Sequence, residues 1–217
     1  MFGEKLFVAQ KHKDIAIKLA HILLSGIDAS RKKYLISIAG ESGSGKSGIA
    51  YETTSLMNKR GVKTILLQQD DYFYYPPKTN RQMREKDISV VGTNEVNLEL
   101  LTEHVKKFKD LRTKKITKPL IVFDENKCEK ETVSCKTAKV MIVEGTYVSL
   151  LKNIDRKIFL TETYIDTFKG RRKRARDKVD VFDKKVLEIE HKIVSRHKKL
   201  CHIIVRKDAS IRRVKRS

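Results

Sequence analysis

No run of apolar residues in this chain approaches the ~20 needed to cross a bilayer as a helix, so neither a transmembrane helix nor a membrane partner is expected. The opening residues, MFGEKLFVAQKHKD, contain no apolar stretch of ~7–15 residues ending in small side chains, which argues against a secretory leader. Cysteine is scarce: Cys128, Cys135 and Cys201 are odd in number and form no C-x-x-C pair. A disulfide framework or structural zinc site is therefore not expected, and free thiols in a reducing, cytoplasmic compartment are. Acidic residues are in deficit, 27 against 48 Lys plus Arg, for a formal net charge of +21. An excess of that size points, on charge alone, to an anionic partner: a nucleotide phosphate, a nucleic acid or a membrane surface.

What is present is enough for a core. The chain has 217 residues, 40% of them hydrophobic, about the length of one domain. Residues 11–25 carry an apolar stripe at helical spacing, from Ile15 and Ala16 through Leu19 to Ile22 and Leu23. Short buried-type strands are predicted at Tyr34–Gly40, where the glycine stops the run, and at Thr64–Gln68, Lys139–Val143, Lys157–Leu160 and His202–Val205. Helical patterns lie between them at Ile49–Lys59, Leu98–Leu111 and Asp183–Lys199. Such alternation specifies a parallel sheet covered on both faces. One stretch departs from it: Leu120–Phe123 and Thr132–Cys135, joined by a polar charged segment, read as an inserted β-hairpin. Whether Cys128 and Cys135 meet across that hairpin depends on its register.

The strongest chemical signal is Gly40-Glu41-Ser42-Gly43-Ser44-Gly45-Lys46-Ser47, a full G-x-x-x-x-G-K-[ST] pattern with a strand before it and a helix after. Glycines let the backbone turn its N–H groups onto phosphate oxygens, and the helix adds its positive end. Lys46 would reach the outer phosphates, and the Ser47 hydroxyl would ligate Mg²⁺. The second strand ends in Asp70 and Asp71, at the edge where parallel sheets bind ligands. A carboxylate there can accept a hydroxyl proton. Tyr72, Phe73, Tyr74 and Tyr75 follow, aromatic rings able to stack on a substrate. A later strand ends VMIVEG, placing Glu144 where a second magnesium ligand would sit. In RRKRARD, Arg172 and Arg176 share a helical face, suited to a basic lid over a transferring phosphoryl group.

These pieces, GESGSGKS, LLQQDDYF, KPLIVFDENKCEKET, VMIVEGTYVSLL and FLTETYIDTFKGRRKRARD, stand in an order and spacing that resemble the uridine kinase and phosphoribulokinase group of phosphate-loop kinases, over about Tyr34 to Asp208. The resemblance implies an α/β phosphate-loop NTPase fold with a five-stranded parallel sheet, helices on both faces, the inserted hairpin and a basic lid. It implies Asp70 as general base and magnesium ligand, Glu144 as magnesium ligand, and Arg172 and Arg176 as lid arginines. Residues 1–30 are then a helical N-terminal extension, 31–208 the kinase domain and 209–217 a basic tail. The nucleoside-reading groups of uridine kinases are missing: Gly92-Thr93-Asn94 stands for a His-Pro-Asp-like segment, and Ile121, Asn126 and Cys128 occupy the hairpin positions. Cys201-His202 replaces an Ala-Asp near the C-terminus.

The reading that results is ATP- and Mg²⁺-dependent phosphoryl transfer to a small-molecule hydroxyl, on a nucleoside, sugar or sugar phosphate. Tyr72, Arg81, Asn94 and Asn126 are the candidate acceptor contacts. Kinases of this kind often assemble, so a homo-oligomer is among the expected partners. A second reading, a nucleic-acid-binding phosphate-loop protein or a polynucleotide 5′-hydroxyl kinase, rests on the net charge and on Arg212, Arg213, Lys215 and Arg216.

Overall fold

A computed structural model of the chain describes residues 2–3, 6–30, 32–167 and 180–214. Arg172 and Arg176, and with them the expected lid, lie outside the described residues, as do Lys215 and Arg216. Eight strands are described: β1 Tyr34–Ala39, β2 Thr64–Gln68, β3 Lys115–Val122, β4 Lys127–Ser134, β5 Val140–Gly145, β6 Arg156–Leu160, β7 Ile203–Val205 and β8 Ile211–Arg213. The longer helices are α1 Gln10–Asp28, α2 Lys46–Lys59, α3 Pro77–Lys86, α4 Leu98–Lys109 and α5 Val181–Val194.

The main sheet has the order β2-β5-β1-β6-β7-β8. Its first five strands are parallel, as the alternating pattern predicts, and β8 is added antiparallel at the β7 edge. That sixth strand has three residues, two of them arginine, and carries no apolar alternation that a sequence reading could use. Residues 211–213, expected in a tail, therefore extend the sheet.

Alternation along each strand sorts the core into two layers, because successive side chains point to opposite faces. Leu35 and Ala39 of β1, Met141 and Val143 of β5, Phe159 of β6 and Ile204 of β7 face one layer, covered by Leu101, Val105 and Phe108 of α4 and Val194 of α5. Ile36 and Ile38, Val140 and Ile142, Ile158 and Leu160, and Ile203 and Val205 face the other. There α1 supplies Ile15, Leu19, Leu23 and Ile27, one stripe with a four-residue step, and α2 supplies Ile49, Ala50 and Met57. Each such fully buried aliphatic side chain is worth roughly 1.5–3 kcal/mol. The helix expected as an N-terminal extension is thus half of a core layer.

The hairpin of β3 and β4 forms its own two-stranded sheet, longer than its apolar segments suggest. Its register places Cys128 opposite Ile121 and leaves Cys135 just past the Lys115–Ser134 pair. The two cysteines lie at opposite ends of β4, roughly 23 Å apart at ~3.3 Å per residue, and Cys128, Cys135 and Cys201 are all thiols rather than disulfides. Helix α3 was not foreseen. Only Asn80 of its ten residues is buried, so it has no apolar stripe to announce it.

Candidate active site

Because β5 lies between β1 and β2, the loops leaving these three strands meet at one edge of the sheet. The loop after β1 is Gly40–Gly45, and Gly45 begins α2 with φ +84°, a left-handed conformation that favours glycine. Lys46 is buried in the first turn. Side chains of the loop anchor it to its surroundings. Glu41 accepts from the Tyr164 amide at 2.8 Å and meets His191 Nδ1 at 2.7 Å. Ser42 Oγ donates to Glu190 Oε2 at 2.9 Å.

Glu144 pairs in register with Ile38 of β1 and Gln68 of β2, which brings its carboxylate beside the loop. It is fully buried, and Gln68 Nε2 donates to its Oε1 at 3.2 Å. Among the described residues its Oε2 has no hydrogen-bond partner. Burial pushes the carboxyl up to about 7, opposed by the Lys46 charge, helped by the charge of Asp70, and moderated by the neighbouring Gln68 and Ser47 side chains.

The second strand runs directly into a 3-10 turn, Gln69–Tyr72. With three residues per turn, Gln69 and Tyr72 share one side and the two aspartates splay away from it. Gln69 Oε1 accepts from the Tyr147 amide at 2.7 Å. Its side chain fills the space over Gly145, where an added Cβ would lie 2.3 Å from Gln69 Cβ. That close approach fixes the turn. Asp71 is buried toward the hairpin, its Oδ2 accepting from Lys118 Nζ at 2.7 Å and its Oδ1 from the Ile121 amide at 3.1 Å. Asp70 alone faces the cleft, a space of about 300 Å³ that it lines together with Ser42, Lys46, Phe73, Tyr75 and Arg84.

The four expected acceptor contacts fare differently. Arg81 lines the cleft, its guanidinium held by Asp180, Asp183 and Glu85. Tyr72 does not reach it: the ring is buried in the core and its hydroxyl lies 2.8 Å from His104 Nδ1. Asn94 is exposed and does not line the cleft, because the 3-10 turn Thr93–Glu95 directs the next residue inward instead. Asn126, at the hairpin tip, is a capping residue. Helix α3 begins after Pro76, which has no capping side chain, and Asn126 Oδ1 accepts from the Lys78 amide at 2.9 Å while its Nδ2 donates to Thr79. Asn126→Ala should therefore lower stability by about 1 kcal/mol, the typical worth of a cap, with nucleotide affinity unchanged; thermal melting and a binding titration would check both.

The residues that sequence reasoning missed form a buried ionic chain along the cleft wall. Glu95 accepts from Asn80 Nδ2 at 2.8 Å, from the Gly92 amide at 2.8 Å and from the Arg84 guanidinium. Arg84 reaches Glu190 at 3.5 Å, and Glu190 holds Ser42 of the phosphate loop. Burial pushes the Glu190 carboxyl up. The available signal is slight: three charged residues from separated segments, with Glu95 directly following the Gly92-Thr93-Asn94 segment.

A family model described as "Phosphoribulokinase / Uridine kinase family" matches residues 35–205. The chain belongs to that family. Among curated relatives, uridine kinase of Clostridium novyi (strain NT) is 31% identical over 134 residues, 61% of each chain. Uridine kinase of Leuconostoc citreum (strain KM20) is 28% identical over 191 residues, 80% of this chain and 87% of that protein. The match to the first relatives thus spans about three fifths of their length. A structure described as a putative fructose transport system kinase from Silicibacter sp. TM1040 superposes with TM-score 0.64 at 17% identity, covering 86% of this chain and 94% of that one. At that identity it shares the phosphate-loop kinase fold, and the fold places Asp70, Lys46, Ser47 and Glu144 at one edge of the sheet in this member of the family.

Proposed function

We propose that this chain transfers the terminal phosphoryl group of ATP to the hydroxyl of a small molecule. The observation that carries the reading is the isolation of Asp70: of two adjacent aspartates, one is tied into the hairpin and the other is left in the cleft with Lys46. Asp70 accepts or orients the acceptor proton. Lys46 and the loop amides hold the outer phosphates. The acceptor lies along the wall formed by Arg84 and Arg81, where Phe73 and Tyr75 offer apolar surface.

The donors suit magnesium. Ser47, Asp70 and Glu144 offer oxygen only, Glu144 Oε2 is buried without a partner among the described residues, and Mg²⁺ characteristically takes one or two carboxylates and completes its shell with phosphate oxygens and water. When bound, the ion supplies neutralisation of phosphate charge. Glu144 and Ser47 would hold it, with Asp70 on the acceptor side. Arg172 and Arg176 are assigned to charge stabilisation by their sequence positions.

A cleft of about 300 Å³ favours a nucleoside, sugar or sugar phosphate over a polynucleotide. A screen of such acceptors, following ADP formation, should give one compound class that stimulates turnover, with the stimulation abolished in Asp70→Ala. If only a polynucleotide stimulates at ~0.15 M salt, the acceptor class is wrong and the charge of +21 is the better guide.

A further inference from the structure

The N-terminal end of α1 lies against the start of α2, at the phosphate loop. The contact is made by His12. A Cβ added to Gly45 would lie 2.5 Å from His12 Nε2, and one added to Gly48 would lie 2.7 Å from His12 Nδ1 and 3.0 Å from the Phe7 carbonyl oxygen. Gly45 and Gly48 are three residues apart, so they present one face of the first helical turn. The imidazole lies against that face, in space that any side chain at either position would take. Phe7 packs edge-on against the ring, with centroids 6.3 Å apart. Lys11 Nζ meets Glu162 at 2.9 Å, tying the segment to the end of β6. The Ala9 amide donates to His12 Nδ1 at 3.2 Å, which leaves the proton of the neutral ring on Nε2, the nitrogen facing Gly45.

The direction of transfer says what this nitrogen faces. Asp70 and the acceptor cleft lie on one side of Lys46, and none of Gly45, Gly48 and His12 lines that cleft. A nucleotide that presents its terminal phosphate to Asp70 must carry its inner phosphate and nucleoside away from the cleft, since attack and departure are in line. The first turn of α2 beyond the loop is where that inner phosphate approaches the helix N-terminus, and the missing side chains of Gly45 and Gly48 let the His12 ring come up beside it. This is the turn His12 covers.

We propose that His12 is a nucleotide-binding residue, its Nε2–H donating to the phosphate that joins the nucleoside, with residues 7–12 forming a wall of the nucleotide site. The proposal rests on the phosphate-loop reading and not on the identity of the acceptor.

Equilibrium binding to the full chain tests it, with MgATP, MgADP and inorganic pyrophosphate as probes and wild type, His12→Ala, His12→Gln and Gly48→Ala as proteins. His12→Ala should weaken MgATP and MgADP by about 10-fold, the scale of one charge-assisted hydrogen bond. Pyrophosphate, which needs only the outer phosphate positions, should bind as to wild type. His12→Gln keeps a donor and should recover part of the loss. Gly48→Ala places a methyl where the ring lies, so it should reproduce the selective loss, and adding His12→Ala to it should cost little more. Unchanged nucleotide affinity in His12→Ala overturns the proposal. So does an equal loss for pyrophosphate, which marks a disturbed loop, or a gain in affinity, which marks a segment that blocks the site. If wild type binds no nucleotide, the phosphate-loop reading falls as well.

Discussion

Replacing Asp70 by Asn should lower kcat by about 10²–10⁴-fold, the usual contribution of a positioned general base, while the melting temperature stays within a degree or two of wild type, roughly what a near-neutral surface change gives. The substitution conserves volume and removes only the charge and the proton-accepting capacity. The native structure spends little on this carboxylate: among the described residues no ion pair within 4.0 Å holds it, and it is only half-buried. Loss of activity with retained stability is therefore the expected signature. Substrate affinities should move less than kcat, because a proton acceptor acts mainly in the transition state. A steady-state comparison with both substrates varied, beside a thermal melt, reads all three quantities. A variant as active as wild type would remove Asp70 from the chemistry and leave the site without a base.

The contrast between this residue and its neighbours shows where the sequence was readable. Five parallel strands and their helices are legible because strands buried on both faces read as continuous apolar runs and α1, α4 and α5 carry stripes at helical spacing. The phosphate loop is legible because its glycines answer a backbone requirement that few other patterns share. Tyr72 and Asn94 misled for one shared reason. Both lie in or beside 3-10 turns, where a shift of one residue swings a side chain by about a third of a turn. That swing put Tyr72 beneath the site and Glu95, not Asn94, inside it. Helix α3 and Arg84 escaped because their partners are charged: a helix held by buried ion pairs has no hydrophobic period, and the link from Arg84 to Glu95 and Glu190 spans segments that only the fold brings together. β8 escaped because three residues with two arginines carry no strand signal.

Lys118→Met should destabilise the protein by about 3–5 kcal/mol, the cost of leaving a buried charge without its partner. For a chain of this length that is a fall in Tm on the order of 10 °C. Asp71 and Lys118 have side chains 3% and 4% exposed, so water cannot replace either partner. Removing the lysine takes away the ammonium that neutralises Asp71 and leaves the Ile121 amide donating to its Oδ1. The consequence reaches beyond one pair. A two-stranded hairpin is at best marginally stable alone, and among the described residues β3 and β4 pair with no strand of the main sheet. The Asp71 carboxylate, bridging Lys118 and the Ile121 amide, pins β3 to the turn that also aims Asp70. Asp71→Asn should cost less than Lys118→Met, since Lys118 keeps Glu131 at 2.9 Å, and that carboxylate is 45% exposed and can relax. The apolar double variant Asp71→Leu with Lys118→Met should recover much of the stability, because two neutral side chains of similar size avoid the desolvation that both charges suffer. Melting curves of the three variants decide it. Equal small losses in all of them would mean that the hairpin is held by its other contacts, and that the two adjacent aspartates do not divide between stability and chemistry.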